Sequence, residues 1–233
     1  MTEWSPPNRP AVYAEKSLII AILNGDYPPG SILPAERELS LKLGVTRPTL
    51  RETLQRLERD GWLNIQQGKS TRVNDYWKDG GLNVLNALVQ YSEKLPQDFI
   101  PNLLHVRLVL APAYARQAVV NSSVQVSNYL KNYQNLQDIP GEYASFDWQL
   151  HQMLTIASGN PIFTLILNGF SGFYEQMARI YFNKTTARKA SLDFYKSLWE
   201  CALHNDFTTA EYVTRSMMSR SILLWESQRG AEE

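Results

Sequence analysis

"GVTRPTLRETLQRLERDGWL", residues 44–63, sets a row of leucines against four arginines and closes on a tryptophan. Leu50, Leu54 and Leu57 recur at i, i+4 and i+7, so they share one face of a helix that must bury itself against a neighbour. Thr46 precedes them as an N-cap, Pro48 falls in the first turn where a missing N–H costs little, and Gly61 stops the helix. Arg47, Thr49 and Arg51 lie off the leucine face, in the first turn and a half. Upstream, "AERELSLKL" (35–43) carries Leu39 and Leu43 four apart and ends at Gly44, leaving only Val45 and Thr46 between two helices. Downstream, Leu63 and Ile65 alternate with Asn64 and Gln66, Gln67-Gly68-Lys69-Ser70 supplies a turn, and Thr71-Arg72-Val73 returns as the second arm of a β-hairpin.

An earlier helix, with Leu18, Ile19, Ile22 and Leu23 apolar and Gly25 past its end, precedes a loop, "PPGSILP" (28–34). Three helices and a hairpin with so short a turn between the second and third predict a winged helix-turn-helix over residues 1–73. A helix that reads DNA buries one face in its own domain and offers its N-terminal residues to base edges in the major groove. Arginine's planar fork matches guanine O6 and N7, threonine reaches a phosphate or a thymine methyl, and free N–H groups at the helix start attract phosphate. Arg47 and Arg51 cluster at the end that would enter the groove, whereas Arg56 and Arg59 sit late and fit pairing with glutamates. On position alone, Arg37 and Lys69 fit a solvated surface as well as a DNA backbone contact. Trp62 is expected as a core anchor for the hairpin.

The whole chain has 23 basic and 23 acidic residues, yet residues 31–73 hold eight Lys/Arg against five Asp/Glu, a net of +3. Its single cysteine, Cys201, rules out an intrachain disulfide and a thiolate metal cluster. No run of about 18 apolar residues suggests a membrane span, and "MTEWSPPNRPAV" lacks a secretory pattern. The expectation is a soluble, cytoplasmic protein. Texture changes at "NDYWKDGGLN" (74–83), so residues 74–82 read as a linker. Residues 83–233 then read as an all-α bundle of six or seven helices: 83–94, 96–120, 123–136, 142–158, 161–183, 186–204 and 210–228. Within "SGNP" (158–161), Gly159 closes one helix, and Asn160 and Pro161 start the next.

Such a mainly-α bundle can hold a cavity between helices. Asp147 and His151 stand at i, i+4, a spacing open to a metal pair or to a hydrogen-bonded structural pair, and only His105 and His204 remain as further histidines. Arg107 lies on an otherwise apolar helix face, where it needs either a buried carboxylate such as Asp147 or an anionic ligand. No nucleophile–base arrangement, phosphate loop or paired-carboxylate signature is present, so no catalytic residue is assigned and an enzyme is not expected.

The stretch "YPPGSILPAERELSLKLGVTRPTLRETLQRLERDGWL" (27–63) resembles the DNA-binding domain of the GntR family of bacterial regulators. Its continuation through "NDYW", and more loosely "NLLHVRLVLAP" (102–112), "ASGNPIFTLILNGFSGFYEQMARIYF" (157–182) and "ARKASLDFYKSLWE" (187–200), are similar to the branch that regulates fatty-acid metabolism. The resemblance implies a homodimeric transcription factor, repressor or activator, that grips a palindromic operator and is released by long-chain acyl-CoA, with no metal or other cofactor. It implies operator contacts from Arg37, Thr46, Arg47, Thr49, Arg51, Gly68 and Lys69. It implies a ligand site from Arg107, Tyr181, Tyr195, Ser221 and Trp225, although for Tyr181, Tyr195 and Trp225 spacing alone fits core packing. Departures are Gln67 for a family histidine, Pro48 for a threonine, Met218 for a glycine at the expected ligand entrance, and Gly230, beside Arg229, for a basic residue. The alternative is the metal-using class of the same family, sensing a small carboxylate; at its two further histidine positions this chain has Tyr195 and Met217.

Overall fold

The computed structural model describes residues 9–229 apart from residue 93. The readings made on residues 1–8 and on Gly230 lie outside these. Two compact units meet between Leu95 and Pro96.

In the first unit, α1 (Pro10–Leu23), α2 (Glu36–Leu43) and α3 (Arg47–Arg59) precede β1 (Leu63–Asn64) and β2 (Arg72–Val73), the winged helix-turn-helix read from the sequence. Thr46 caps α3, its hydroxyl accepting from the Thr49 N–H at 3.3 Å, and Gly44 ends α2 in the left-handed conformation (φ 65°). Leu50, Leu54 and Leu57 are buried as their spacing requires, each contributing roughly 1.5–3 kcal/mol of transfer free energy. Thr53 joins them on the buried face, its hydroxyl donating to the Thr49 carbonyl at 3.0 Å. Trp62 is buried against the Tyr76 ring, 5.0 Å between centroids, as the hairpin's anchor.

The hairpin pairs Leu63 with Val73 and Asn64 with Arg72. Its arms are shorter than the alternation suggested because the Ile65 N–H turns to the Glu58 carboxylate at 3.1 Å instead of the opposite strand. The other edge of β2 is covered by the segment expected as loop. Ile32 bridges Arg72, with Gly30 N–H to Val73 O at 2.8 Å and Leu33 N–H to Thr71 O at 2.9 Å. Residues 74–82, read as linker, contain α4 (Tyr76–Asp79), and α5 (Leu82–Tyr91) follows; both belong to this unit, α5 packing on α1.

The second unit contains α6 (Phe99–Leu130), a 3₁₀ turn (Lys131–Asn135), α7 (Pro140–Ala157), α8 (Pro161–Asn168), α9 (Ser171–Phe182), α10 (Thr185–Leu203) and α11 (Phe207–Arg229). The α6 rod packs against α7, α10 and α11, its Ala111, Ala115 and Ala118 letting neighbouring backbones come close. The two helices expected over 96–120 and 123–136 both lie within α6, divided at the expected place where Ser122 leaves helical geometry (φ −152°), and the second gives way to the 3₁₀ turn at Lys131. The single helix expected over 161–183 is two. At its break the Ser171 hydroxyl donates to the Asn168 carbonyl at 2.7 Å, and the Phe170 N–H bonds Leu167 O in a tightened last turn. The Asn160 side chain caps α8 as expected, accepting from the Ile162 N–H at 3.0 Å. The last helix starts three residues early, because the Asp206 carboxylate accepts from the Thr209 N–H at 3.0 Å.

Gly61 carries a positive φ of 88°, and a β-carbon there would meet Asp79 O at 2.4 Å and Gly80 Cα at 2.7 Å. Backbone strain and steric conflict therefore act together. Gly61→Ala is expected to destabilise the DNA-binding unit by about 1–3 kcal/mol, read as a lowered denaturation midpoint; an unchanged midpoint would refute this account of the α3–α4 junction.

Candidate DNA-reading face and ligand cavity

Thr46, Arg47, Thr49 and Arg51 occupy the start of α3. The two threonine hydroxyls lie 2.9 Å apart and hydrogen-bond each other. Arg47 is exposed and forms no ion pair with any described residue. Arg51, whose side chain is 64% exposed, donates from Nε to Glu36 Oε2 at 2.8 Å, which joins α3 to the first turn of α2 and leaves both terminal nitrogens of the fork unspent. Arg37 is exposed beside Glu36 in that turn. Gly68, at φ +75° and facing open space, forms the hairpin tip with exposed Lys69, whose ammonium donates to Gln66 Oε1 at 2.8 Å. The seven expected DNA residues thus fall in two groups, α2–α3 and hairpin tip. Arg56 pairs with Glu52 at 2.5 Å and Glu15 at 3.5 Å, the solvated role expected for it.

In the second unit a cavity of about 120 Å³ opens between α6, α7, α8, α9 and α11. Its wall is apolar, with Leu103, Phe163, Ile166, Phe173 and Met177 representative, except for one polar patch. Arg107 Nη2 donates both to Asp147 Oδ2 (2.6 Å) and to His151 Nε2 (2.5 Å). The Tyr174 hydroxyl donates to the same carboxylate oxygen, and the Tyr195 hydroxyl donates to Oδ1 at 2.9 Å. Arginine only donates, so His151 Nε2 accepts, and the proton of the neutral ring sits on Nδ1, facing the Tyr114 oxygen at 2.7 Å.

Charges in this patch follow from burial and the guanidinium. Burial pushes the Asp147 carboxyl up, but Arg107, His151 and the tyrosine hydroxyls outweigh it and hold the carboxyl below its usual value. Burial, then Arg107, drive His151 down to about 3 against the opposing pull of Asp147. Burial and then the Asp147 charge push Tyr195 well above its ordinary value. Near pH 7 the patch is Arg107 positive, Asp147 negative, and the rest neutral.

Of the five expected ligand residues, Arg107, Tyr181, Ser221 and Trp225 line the cavity. The Tyr181 side chain is buried there, and its hydroxyl has no hydrogen-bond partner among the described residues. Ser221 donates back to the Met218 carbonyl at 2.7 Å. Tyr195 does not line the cavity; it is fully buried behind Asp147 and acts through it. Met218, which replaces a glycine at the expected ligand entrance, is buried in the core cluster and does not line the cavity itself. Tyr114 and Tyr174 were missed: nothing in their spacing separates them from core aromatics. Asp147 and His151 are not hydrogen-bonded to each other, lying 3.7 Å apart with Arg107 bridging them where a shared cation would sit. Among the described residues no three His, Cys, Asp or Glu side chains converge.

A histidine whose folded value lies below its unfolded one binds fewer protons when folded. It therefore removes stability as pH falls from about 6.5 toward 3, while the depressed Asp147 carboxyl adds its own loss once pH falls through its ordinary value of 3.8. Between pH 7 and pH 5 the His151 contribution is a loss on the order of 2 kcal/mol. Denaturant melts of His151→Gln are expected to show a correspondingly flatter pH dependence than the unsubstituted protein; parallel profiles would refute the buried neutral imidazole.

Residues 11–73 match the family described as bacterial regulatory proteins, gntR family, and residues 74–231 match the FadR C-terminal domain. The chain is 43% identical over 220 residues to the fatty acid metabolism regulator protein of Shewanella pealeana, covering 94% of this chain and 92% of that one. To the same-named protein of Shewanella halifaxensis it is 44% identical over the same shares. The solved structure of Lar, which controls the expression of the Listeria monocytogenes agr system, shares the fold at 16% identity with a TM-score of 0.59, covering 92% of this chain and 95% of Lar. Those names denote regulators, not enzymes, and no helix among the described residues is long and apolar enough to cross a membrane. With both halves matched in this order, the chain belongs to the GntR family and is a FadR-type, DNA-binding transcription regulator of fatty acid metabolism.

Proposed function

We propose that this regulator binds a palindromic operator as a homodimer and that long-chain acyl-CoA in the helical cavity releases it. The observation that carries the ligand half is the cavity: an apolar wall with one patch of unspent hydrogen-bond donors, on Arg107 and Tyr181. Such a space suits a long hydrocarbon with a single polar junction. Arg220, exposed on α11, is the other cation whose charge reaches the Tyr181 hydroxyl, and it suits the phosphates of the CoA portion.

At about 120 Å³ the cavity is smaller than the ~300–1,000 Å³ of ordinary ligand sites, so a long chain binds a widened form of this unit. Widening costs least at α8, none of whose residues is buried and whose Ile162 and Leu165 already face out. A ligand that favours the widened form draws the population away from the DNA-competent one. On the DNA half, two copies related by symmetry read two half-sites, each through Arg47 and Arg51 at base edges. Arg37, Thr46, Thr49, Gly68 and Lys69 fix the backbone register. The compartment for this work is the cytoplasm.

For a palindromic duplex obtained by in vitro selection, Arg47→Ala and Arg51→Ala are each expected to weaken binding by roughly ten- to a hundredfold and relax base preference. Lys69→Ala is expected to weaken all sequences alike and lower the salt slope by about one. Fluorescence anisotropy across a salt series checks both; unchanged binding by the folded double arginine variant would remove the DNA half of the proposal. Oleoyl-CoA titrated into the same complex is expected to release the duplex. Persistence of the complex at saturating ligand would remove the ligand half.

A further inference from the structure

The polar patch of the cavity has an unusual inventory. Its acceptors are used: Asp147 Oδ2 takes Arg107 and Tyr174, Oδ1 takes Tyr195, and His151 Nε2 takes Arg107. Its donors are not. Arg107 Nε and Nη1, the Tyr114 proton left once that oxygen accepts from His151, and the Tyr181 hydroxyl have no acceptor among the described residues, and all three side chains line the cavity. The formal charge of the patch is nonetheless zero, because the only carboxylate cancels the only guanidinium.

A site with spare donors and no net charge favours a neutral acceptor. A carbonyl oxygen gives those donors a partner at the cost of modest desolvation. A carboxylate would bring an uncancelled charge into an apolar space next to Asp147, which is far more costly. We propose that Asp147 is the specificity-determining residue for the ligand's head: by neutralising Arg107 it makes the cavity select a neutral thioester carbonyl and reject a free fatty-acid carboxylate. Asp147 acts through Arg107, not by touching the ligand. This rests on the acyl-ligand reading above and adds to it the residue that sets the head-group charge.

Removing the negative charge while keeping the shape converts the patch from neutral to cationic. Asp147→Asn should therefore welcome the carboxylate, a gain that mere structural damage does not produce. Three probes are measured by calorimetry below their micelle concentrations: oleoyl-CoA, S-oleoyl-N-acetylcysteamine as a neutral thioester without phosphates, and oleate. For the unsubstituted protein both thioesters are expected to bind, with oleate at least tenfold weaker than the N-acetylcysteamine thioester. In Asp147→Asn the oleate affinity is expected to rise at least tenfold, with that thioester unchanged or weaker.

Because Arg107 loses a buried partner in that variant, folding is checked by circular dichroism; if Asp147→Asn does not fold, the comparison in the unsubstituted protein decides alone. Oleate binding within threefold of the N-acetylcysteamine thioester overturns the proposal and leaves the acyl-ligand reading standing. So does a folded Asp147→Asn that still rejects oleate. Failure of all three probes to bind the unsubstituted protein instead removes the acyl-ligand reading, and the proposal with it.

Discussion

A guanidinium set into an apolar wall is tenable only while a carboxylate cancels it, and in the helical unit that condition fixes the positions of several side chains at once. Arg107 projects from α6, Asp147 and His151 from α7, Tyr174 from α9 and Tyr195 from α10, so one ionic cluster ties four helices together. Removing either charge leaves the other buried and alone, at a cost of roughly 3–5 kcal/mol. The pair therefore constrains which helices meet and in what rotation, even though an apolar replacement of the whole cluster could be equally stable. What the cluster adds over leucine is donors that face a space.

The DNA-binding unit uses the same ion chemistry in the opposite solvent. Arg51 and Glu36 are both exposed, so their bond is worth about 0–1 kcal/mol and yields readily to a better partner. A duplex supplies one, since phosphates and guanine edges offer charge and paired acceptors together. Glu36 thus orients the Arg51 fork in the free protein without holding it against the DNA. Arg107 cannot be recruited in that way, because no comparable partner reaches it from water. Exposure separates an arginine free to meet an external partner from one held within an internal cluster.

Exposure is also what the sequence conveys least, and this explains which features were legible. The helix-turn-helix was readable because its signals are local: Thr46 caps within three residues, Gly44 turns at its own φ, and the α3 leucines share a face by spacing alone. The second unit was readable as helices, and two of its junctions, at Ser122 and at Asn160, were readable as well. The end of α8, closed by the Ser171 hydroxyl together with the Gly169 and Phe170 N–H groups, was not, because the helical pattern runs on through it. Strand pairing of Ile32 with Arg72 joins residues forty apart and left no periodicity to detect. Of the residues lining the cavity, family likeness pointed to Arg107 and Tyr181, whereas Tyr114 and Tyr174 look like any aromatic of a helical core until their hydroxyls are traced to His151 and Asp147.

In the proposed release of DNA by an acyl ligand, head-group recognition and release are separate demands, and the second would fall to the hydrocarbon. Shifting a two-state equilibrium from mostly competent to mostly incompetent takes a preference of about 10⁴, or about 5.5 kcal/mol, for one state. Burial of a methylene contributes about 0.8 kcal/mol, so about seven methylenes seated in one state and left in water in the other supply it. A short acyl chain has too few to do so, whatever its head. A long one has enough, provided the cavity in the DNA-competent state is too small to take it. Under that proposal the small volume between α6, α7, α8, α9 and α11 would itself supply the discrimination: the less room the chain finds before α8 yields, the larger the share of its burial that bears on the equilibrium.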